Sequence, residues 1–181
     1  MNTVEPRTKP AFAVWITGLP SSGKSTLAAA LVGQLAALGV DVAVLESDAL
    51  RRVFTPRPAY DEAERDAFYQ AMAYVGKLLV EHGVPVIFDA TANRRIYRDR
   101  ARREISRFLE VHLDSPLTVC VQRDPKGIYK RGQAGDTVTV PGLQVAYEPP
   151  EQPDVVVRGD SETPEAGAQR VLAKLIEKQY L

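Results

Sequence analysis

The octapeptide Gly18-Leu19-Pro20-Ser21-Ser22-Gly23-Lys24-Ser25 decides the reading of this chain. It follows a compact apolar run of strand length, Ala11 to Thr17. It opens a stretch in which Leu27, Ala30, Leu31, Leu35 and Leu38 recur at helical spacing. Strand, Gly-rich loop and helix, in that order, make a phosphate cradle. The glycines let the backbone curl so that successive N–H groups point inward at anionic oxygens. The helix beginning near Lys24 directs the positive end of its dipole to the same place. Lys24 adds a point charge for β- and γ-phosphates, and the Ser25 hydroxyl suits Mg²⁺, which prefers oxygen ligands. Gly18 to Ser25, with Thr26 beside them, are therefore the candidate ATP-binding residues, and Lys24 is also a candidate catalytic group.

Outward from this loop the pattern alternates. Gly39 ends the first helix, and Val40 to Leu45 reads as a second strand. Asp61, with Glu64 in capping-box position, starts a helix lined by Phe68, Ala71, Met72, Val75, Leu78 and Leu79 and closed by Gly83. Val84 to Phe88 is a third strand, Arg95 to Arg107 an Arg-rich helix, and Leu109 to Leu113 a fourth strand. Ser115 and Pro116 start a short helix through Gln122. Residues 123–150 are rich in glycine and proline, show no period, and read as a long surface loop or lid. Asp154 to Val157 is a fifth strand, and Thr163-Pro164-Glu165 begins a last helix. The strands are apolar on both faces, as in a parallel sheet covered on each side. The expected fold is α/β: a three-layer P-loop NTPase fold with about five mainly parallel strands, helices on both faces and a lid segment.

Composition bounds the rest. A chain of 181 residues fits one domain, 11–181, after a polar lead, 1–10, expected to be flexible. With 45% hydrophobic and 25% charged residues it has the makings of a core. Its 23 basic and 23 acidic residues balance, so no nucleic-acid or membrane-surface partner is expected, and the acceptor is a small molecule. One cysteine, Cys120, and two distant histidines, His82 and His112, argue against disulfides and Cys/His metal sites. No apolar run approaches the ~20 residues of a membrane span, and no signal core precedes Pro10. The expected location is the cytoplasm.

Two aspartates follow apolar strands on the edge that carries the loop: Asp48 after the second strand and Asp89 after the third. Carboxylates there hold Mg²⁺ or take a proton from an attacking hydroxyl. Asp48 is the candidate base, and Ser25, Asp48 and Asp89 are the candidate metal ligands, with the roles of the two aspartates exchangeable. Arg51, Arg52 and Arg65 can hold an anionic acceptor through bidentate contacts. The run Arg94 to Arg103, interleaved with Asp99 and Glu104, reads as a salt-bridged exposed face. The basic stretch Arg123 to Arg131 can close over phosphates and exclude water.

Together these residues resemble the adenylylsulfate kinase family, P-loop kinases that phosphorylate the 3′-hydroxyl of adenosine 5′-phosphosulfate. The phosphate loop and Asp48-Ala49-Leu50-Arg51 carry part of the likeness. Arg123-Asp-Pro-Lys-Gly-Ile-Tyr-Lys130, Ala134-Gly135, Gly142, Tyr147-Glu148 and Pro153-Asp154 carry the rest, so that it covers most of Phe12 to Val157. It implies that Gly18 to Ser25 bind ATP phosphates and magnesium, and that Asp48 sits at the transferred phosphate. It also implies that Arg51 and Arg65 hold the phosphosulfate, that Arg123 and Lys126 lie in a lid near the ATP base, and that the chain forms a homodimer. The chain departs from the family pattern on the acceptor side. Phe68 stands where the family has Asn, Val140 where it has a stacking Phe, and Ala92-Asn93-Arg94-Arg95 where it has Ile-Ser-Pro-Tyr. Glu46-Ser47-Asp48 replaces Asp-Gly-Asp, and Tyr60 is a candidate stacking aromatic. Arg51, Arg65, Phe68, Asn93, Lys130 and Val140 are accordingly the candidate acceptor-binding residues.

The expected activity is ATP-dependent phosphorylation of a hydroxyl, with adenosine phosphosulfate as first-choice acceptor. The alternatives are another small alcohol on the same fold, or a nucleotide-binding regulatory module without transfer.

Overall fold

The computed structural model describes residues 11–181; the lead 1–10 lies outside the described residues. The elements run β1 (Ala13–Thr17), α1 (Lys24–Ala37), β2 (Ala43–Glu46), α2 (Ser47–Phe54), α3 (Glu62–Glu81), β3 (Val86–Asp89) and α4 (Arg95–Glu104). They continue with β4 (Phe108–Asp114), α5 (Leu117–Arg123), α6 (Ile128–Ala134), β5 (Val155–Arg158) and α7 (Pro164–Glu177). The sheet order is β2-β3-β1-β4-β5, and every pair is parallel. Thus β1, which feeds the Gly-rich loop, is central, and β2 and β3, which carry the two aspartates, lie on one side of it. The register aligns Ile16 with Asp89 and Glu46 with Asp89, so these strand ends finish together at the carboxyl edge.

Period-two alternation in β1 divides the core. Ala13 and Trp15 face one layer, where α3 and α4 supply Phe68, Tyr69, Met72, Val80, Tyr97 and Ala101. Trp15 stacks on Phe88 there, with ring centroids 4.5 Å apart. Phe12, Val14 and Ile16 face the other layer, against Leu27, Leu31 and Leu35 of α1 and Val171 and Leu175 of α7. Each such side chain, taken fully out of water, contributes about 1.5–3 kcal/mol. A third small cluster, Cys120, Tyr129 and Val140 with Leu19 and Leu117, lies beneath the lid.

Three elements differ from the sequence expectation. Asp48, expected only to follow the second strand, belongs to a helix, α2, that the sequence reading did not delimit; its eight residues are too few for a period to show. Within 123–150 a helix, α6, forms between two left-handed glycines, Gly127 and Gly135, which cut it to seven residues. The Arg-rich α4 is not wholly an exposed face. Arg98 is 1% exposed and donates from Nε to Glu110 Oε1 at 2.8 Å. Two of the other arginines pair with distant acids rather than with the interleaved Asp99 and Glu104: Arg100 meets Asp66, and Arg102 meets Glu110 and Asp154, while Arg103 donates from Nε to the Asp99 carbonyl at 3.2 Å. Among the described residues no helix is long and apolar enough to cross a membrane.

Candidate active site

A cavity of about 1430 Å³ opens at the carboxyl edge of the sheet, lined by Pro20 to Thr26, Asp48, Arg51, Tyr60, Arg65, Asp89, Arg123, Lys126 and Val140 among others. The phosphate loop forms because its residues accept special backbone angles. Gly23 has φ of +104° and precedes α1 directly, and the first turn of α1, Lys24 to Leu27, lines the cavity. Gly18 is required by contact: a Cβ there would stand 2.6 Å from the Leu113 carbonyl oxygen. Gly18 and Leu19 lie behind the cavity wall rather than on it. Their carbonyls accept from Lys24 Nζ at 3.2 and 2.8 Å. Burial pushes the Lys24 ammonium down to about 8, against the opposite pull of the Asp89 and Asp48 carboxylates. Tyr129 of α6 braces the loop from the lid, donating its hydroxyl to the Pro20 carbonyl at 3.0 Å.

The two aspartates differ. Asp89 is 5% exposed, and its carboxylate has neither a hydrogen bond nor an ion pair among the described residues. A buried carboxylate without such a partner, in a wall shared with phosphate-binding amides, has the chemistry of a cation ligand. Asp48 is exposed, at the first turn of α2, and meets Lys126 of the lid at 2.5 Å; Glu46 lies 3.9 Å from the same ammonium. That contact raises the Lys126 pKa, chiefly through the hydrogen bond to Asp48. Ser25 and Thr26 stand on the open first turn of α1. Among the described residues no group of three or more acidic, Cys or His side chains could hold a metal unaided. One hydroxyl and one or two carboxylates fit an ion such as Mg²⁺, which keeps its waters and shares phosphate oxygens with a nucleotide.

The acceptor side is assembled from side chains of separate segments. Arg65 of α3 donates from Nε to the Tyr60 carbonyl at 2.8 Å, from Nη1 to Asn93 Oδ1 at 3.3 Å, and from Nη2 to the Thr139 carbonyl at 2.7 Å. It thereby ties α3 to the lid and keeps a second N–H on each terminal nitrogen. Burial lowers its pKa, yet it stays cationic. Arg51 Nη1 donates to Glu64 Oε1 at 3.0 Å. The expected capping box is half formed: Asp61 accepts from Glu64 N at 2.8 Å, but the Glu64 carboxylate turns to Arg51 and to Ala59 N, 2.5 Å away.

Besides Gly18 and Leu19, three sequence candidates, all assigned to the acceptor, are not in the cavity wall. Phe68 is buried under Arg51. Asn93 is buried behind Arg65 and donates from Nδ2 to the Ala146 carbonyl at 3.0 Å. Lys130 is exposed on α6, whose turn carries Tyr129 inward and Arg131 to the cavity instead. Sequence reasoning did not assign Glu64 or Thr139 to the site, and it placed Arg131 only within the basic lid stretch. For Glu64 the signal was available, because it lies four residues before Phe68 on the same helix face.

A cavity of this construction defines a phosphotransferase of the P-loop class. The family model described as Adenylylsulphate kinase matches residues 10–158, and the chain belongs to that family. It is 39% identical to the adenylyl-sulfate kinase of Microcystis aeruginosa, over 93% of each chain. It is 35% identical to the probable adenylyl-sulfate kinase of Pyrococcus abyssi, over 94% of this chain and 98% of that one. The structure of the Mycobacterium tuberculosis APS kinase CysC in complex with AMPPNP and APS superposes with a TM-score of 0.88, at 30% identity, over 93% of this chain and 99% of that one.

Proposed function

We propose that the protein transfers the γ-phosphoryl group of ATP to the 3′-hydroxyl of adenosine 5′-phosphosulfate, giving 3′-phosphoadenosine 5′-phosphosulfate. The observation that carries this reading is a single cavity, about 1430 Å³, shared by the phosphate loop and by Arg51, Arg65 and Tyr60. Pockets for one small ligand span about 300–1,000 Å³. Room for two nucleotides in one wall, in a member of this family, favours transfer between them.

The chain's own groups divide the work. The loop amides and Lys24 bind the triphosphate oxygens and offset the charge that develops on them. Asp48 takes the proton of the attacking hydroxyl and orients it. Arg51 and Arg65 hold the anionic end of the acceptor. Arg123 and Lys126 close the lid over the phosphates and exclude water, which limits hydrolysis. Ser25 and Asp89 would hold Mg²⁺, with Asp48 as a water-linked partner. Bound there, the ion neutralises phosphate charge. The enzyme is expected to work in the cytoplasm as a homodimer, which sedimentation would check.

The test is a coupled ADP-release assay of the purified protein with adenosine phosphosulfate against a panel of small alcohols. Turnover with phosphosulfate well above the rest is expected; turnover only elsewhere overturns the reading. One observation favours that second outcome. Val140 is aliphatic and 3% exposed, and stacking on an aromatic at such a position would be worth about 1–3 kcal/mol per base.

A further inference from the structure

Arg51 is only 6% exposed, and a guanidinium leaves water at high cost unless its charge and N–H groups are matched. One carboxylate meets it, that of Glu64 at 3.0 Å. The remaining contact is aromatic. Its Cζ lies 3.9 Å from the Phe68 ring centroid, 5.1 Å from that of Tyr60 and 5.6 Å from that of Tyr69. Phe68 is the nearest of the three by more than an ångström. Glu64 and Phe68 are four residues apart on α3, so they project from one face of the helix. Glu64 bonds one terminal nitrogen of the guanidinium, and Cζ lies over the face of the Phe68 ring. A carboxylate bond to Nη1 alone leaves the plane free to turn about that bond; a ring stacked against the face fixes it.

Phe68 is itself immobilised. It is 2% exposed, and it packs edge-to-face on Tyr69 with centroids 5.2 Å apart and an interplanar angle of 74°. Phe54 of α2 closes the other side at 6.4 Å. Arg51 is in the cavity wall, whereas Phe68 is not. Among the described residues, Nε and Nη2 of Arg51 have no hydrogen-bond acceptor.

We infer that Phe68 is a positioning residue of the acceptor subsite: without touching the acceptor, its ring face fixes the plane in which Arg51 presents Nε and Nη2 to the acceptor's anionic group. The inference rests on the proposed function, in which Arg51 holds that group. Phe68 thus acts through Arg51, as an aromatic floor under a cation.

Steady-state kinetics of the full chain, with ATP and adenosine phosphosulfate varied independently, test it. Phe68→Leu removes the ring face, and it is expected to raise KM for the phosphosulfate about tenfold while kcat and the ATP KM stay within about twofold. Phe68→Tyr keeps the face and is expected to remain near wild type. In an Arg51→Lys background Phe68→Leu adds less than about twofold, because an ammonium has no plane to fix. A purely structural role for Phe68 would instead lower the melting temperature and the active fraction, leaving the phosphosulfate KM unmoved; that result overturns the inference. Should the Leu variant not fold, Phe68→Met, similar in volume and ringless, reads the same quantity. If Arg51→Lys itself leaves the phosphosulfate KM unchanged, the reading of Arg51 as acceptor ligand fails. If it raises that KM and Phe68→Leu does not, only the inference about Phe68 fails.

Discussion

The two halves of the cavity are held by different physics. On the nucleotide side the groups proposed to recognise the ligand are main-chain amides and one lysine, all within Gly18 to Thr26, and the loop's shape is imposed locally by Gly18 and Gly23. On the acceptor side they are side chains brought from α2, α3 and the lid. Each depends on a neighbour from another segment: Arg51 on Glu64 and Phe68, Arg65 on Asn93 and Thr139. A local motif tolerates drift elsewhere in the chain. A relayed site is more sensitive to a change in one supporting residue, and it is on that side that the sequence is expected to depart from the family pattern.

Asp48 sits where the halves meet, so its removal gives the largest expected effect. Asp48→Asn should lower kcat by about 10²–10⁴-fold with little change in nucleotide affinity, checked by single-turnover kinetics alongside a nucleotide titration. Wild-type turnover would remove Asp48 from the chemistry. Next is the support behind the acceptor half. Arg98 bonds Glu110, the Ala92 carbonyl and, at 2.6 Å, the Glu148 carbonyl, and so anchors residues 146–148, a strap that bonds Asn93. Arg98→Met should cost about 3 kcal/mol of folding stability in a denaturant titration, because Glu110 keeps only Arg102, and the buried Ala92 carbonyl and the half-buried Glu148 carbonyl lose a donor. A loss below about 1 kcal/mol would show that the strap holds without it.

The nucleotide half can be probed by pH alone. A lysine whose folded pKa is lowered to about 8 loses its proton above that value in the free protein. Nucleotide affinity should therefore fall about tenfold per pH unit above 8, read with a fluorescent ATP analogue. The same shift has the opposite sign for stability. Between about 8 and the ordinary lysine value of 10.5 the unfolded chain holds a proton that the native state has released, so Lys24 favours the fold increasingly as pH rises. An affinity that is flat from pH 7 to 9.5 would break the account of Lys24. The smallest effect is expected at the lid. The Lys126–Asp48 pair is about half exposed on both sides, and Lys126→Ala should change kcat/KM by less than about fivefold.

The legibility of the site follows the same division. Asp89 was readable because an apolar strand ending in Asp needs no partner to be recognised. Arg51 and Arg65 were readable as basic residues near Asp48. Phe68 and Asn93 were assigned to contact with the acceptor, yet they stand behind the arginines that line the cavity. Helical period tells which residues share a face, not which side chain from another helix will lie across that face. Lys130 lies outside the cavity wall for a related reason: α6 is seven residues long, and which of its turns meets the phosphate loop is fixed by Tyr129 bonding to Pro20. The arginines of α4 found acids more than a helix away, because charge pairing depends on proximity in space rather than in sequence.

By itself the sequence determined a parallel α/β sheet and the phosphate loop after its first strand, since both rest on short-range patterns: period two, period three to four, and glycine at fixed spacing. Only the tertiary structure decided that Phe68 lies under Arg51, that Arg98 is buried against Glu110, and which groups form the acceptor wall. The physical reason is that a main-chain amide is supplied by every residue and needs only local geometry, whereas a buried side-chain cation must be matched by partners that arrive from other parts of the chain.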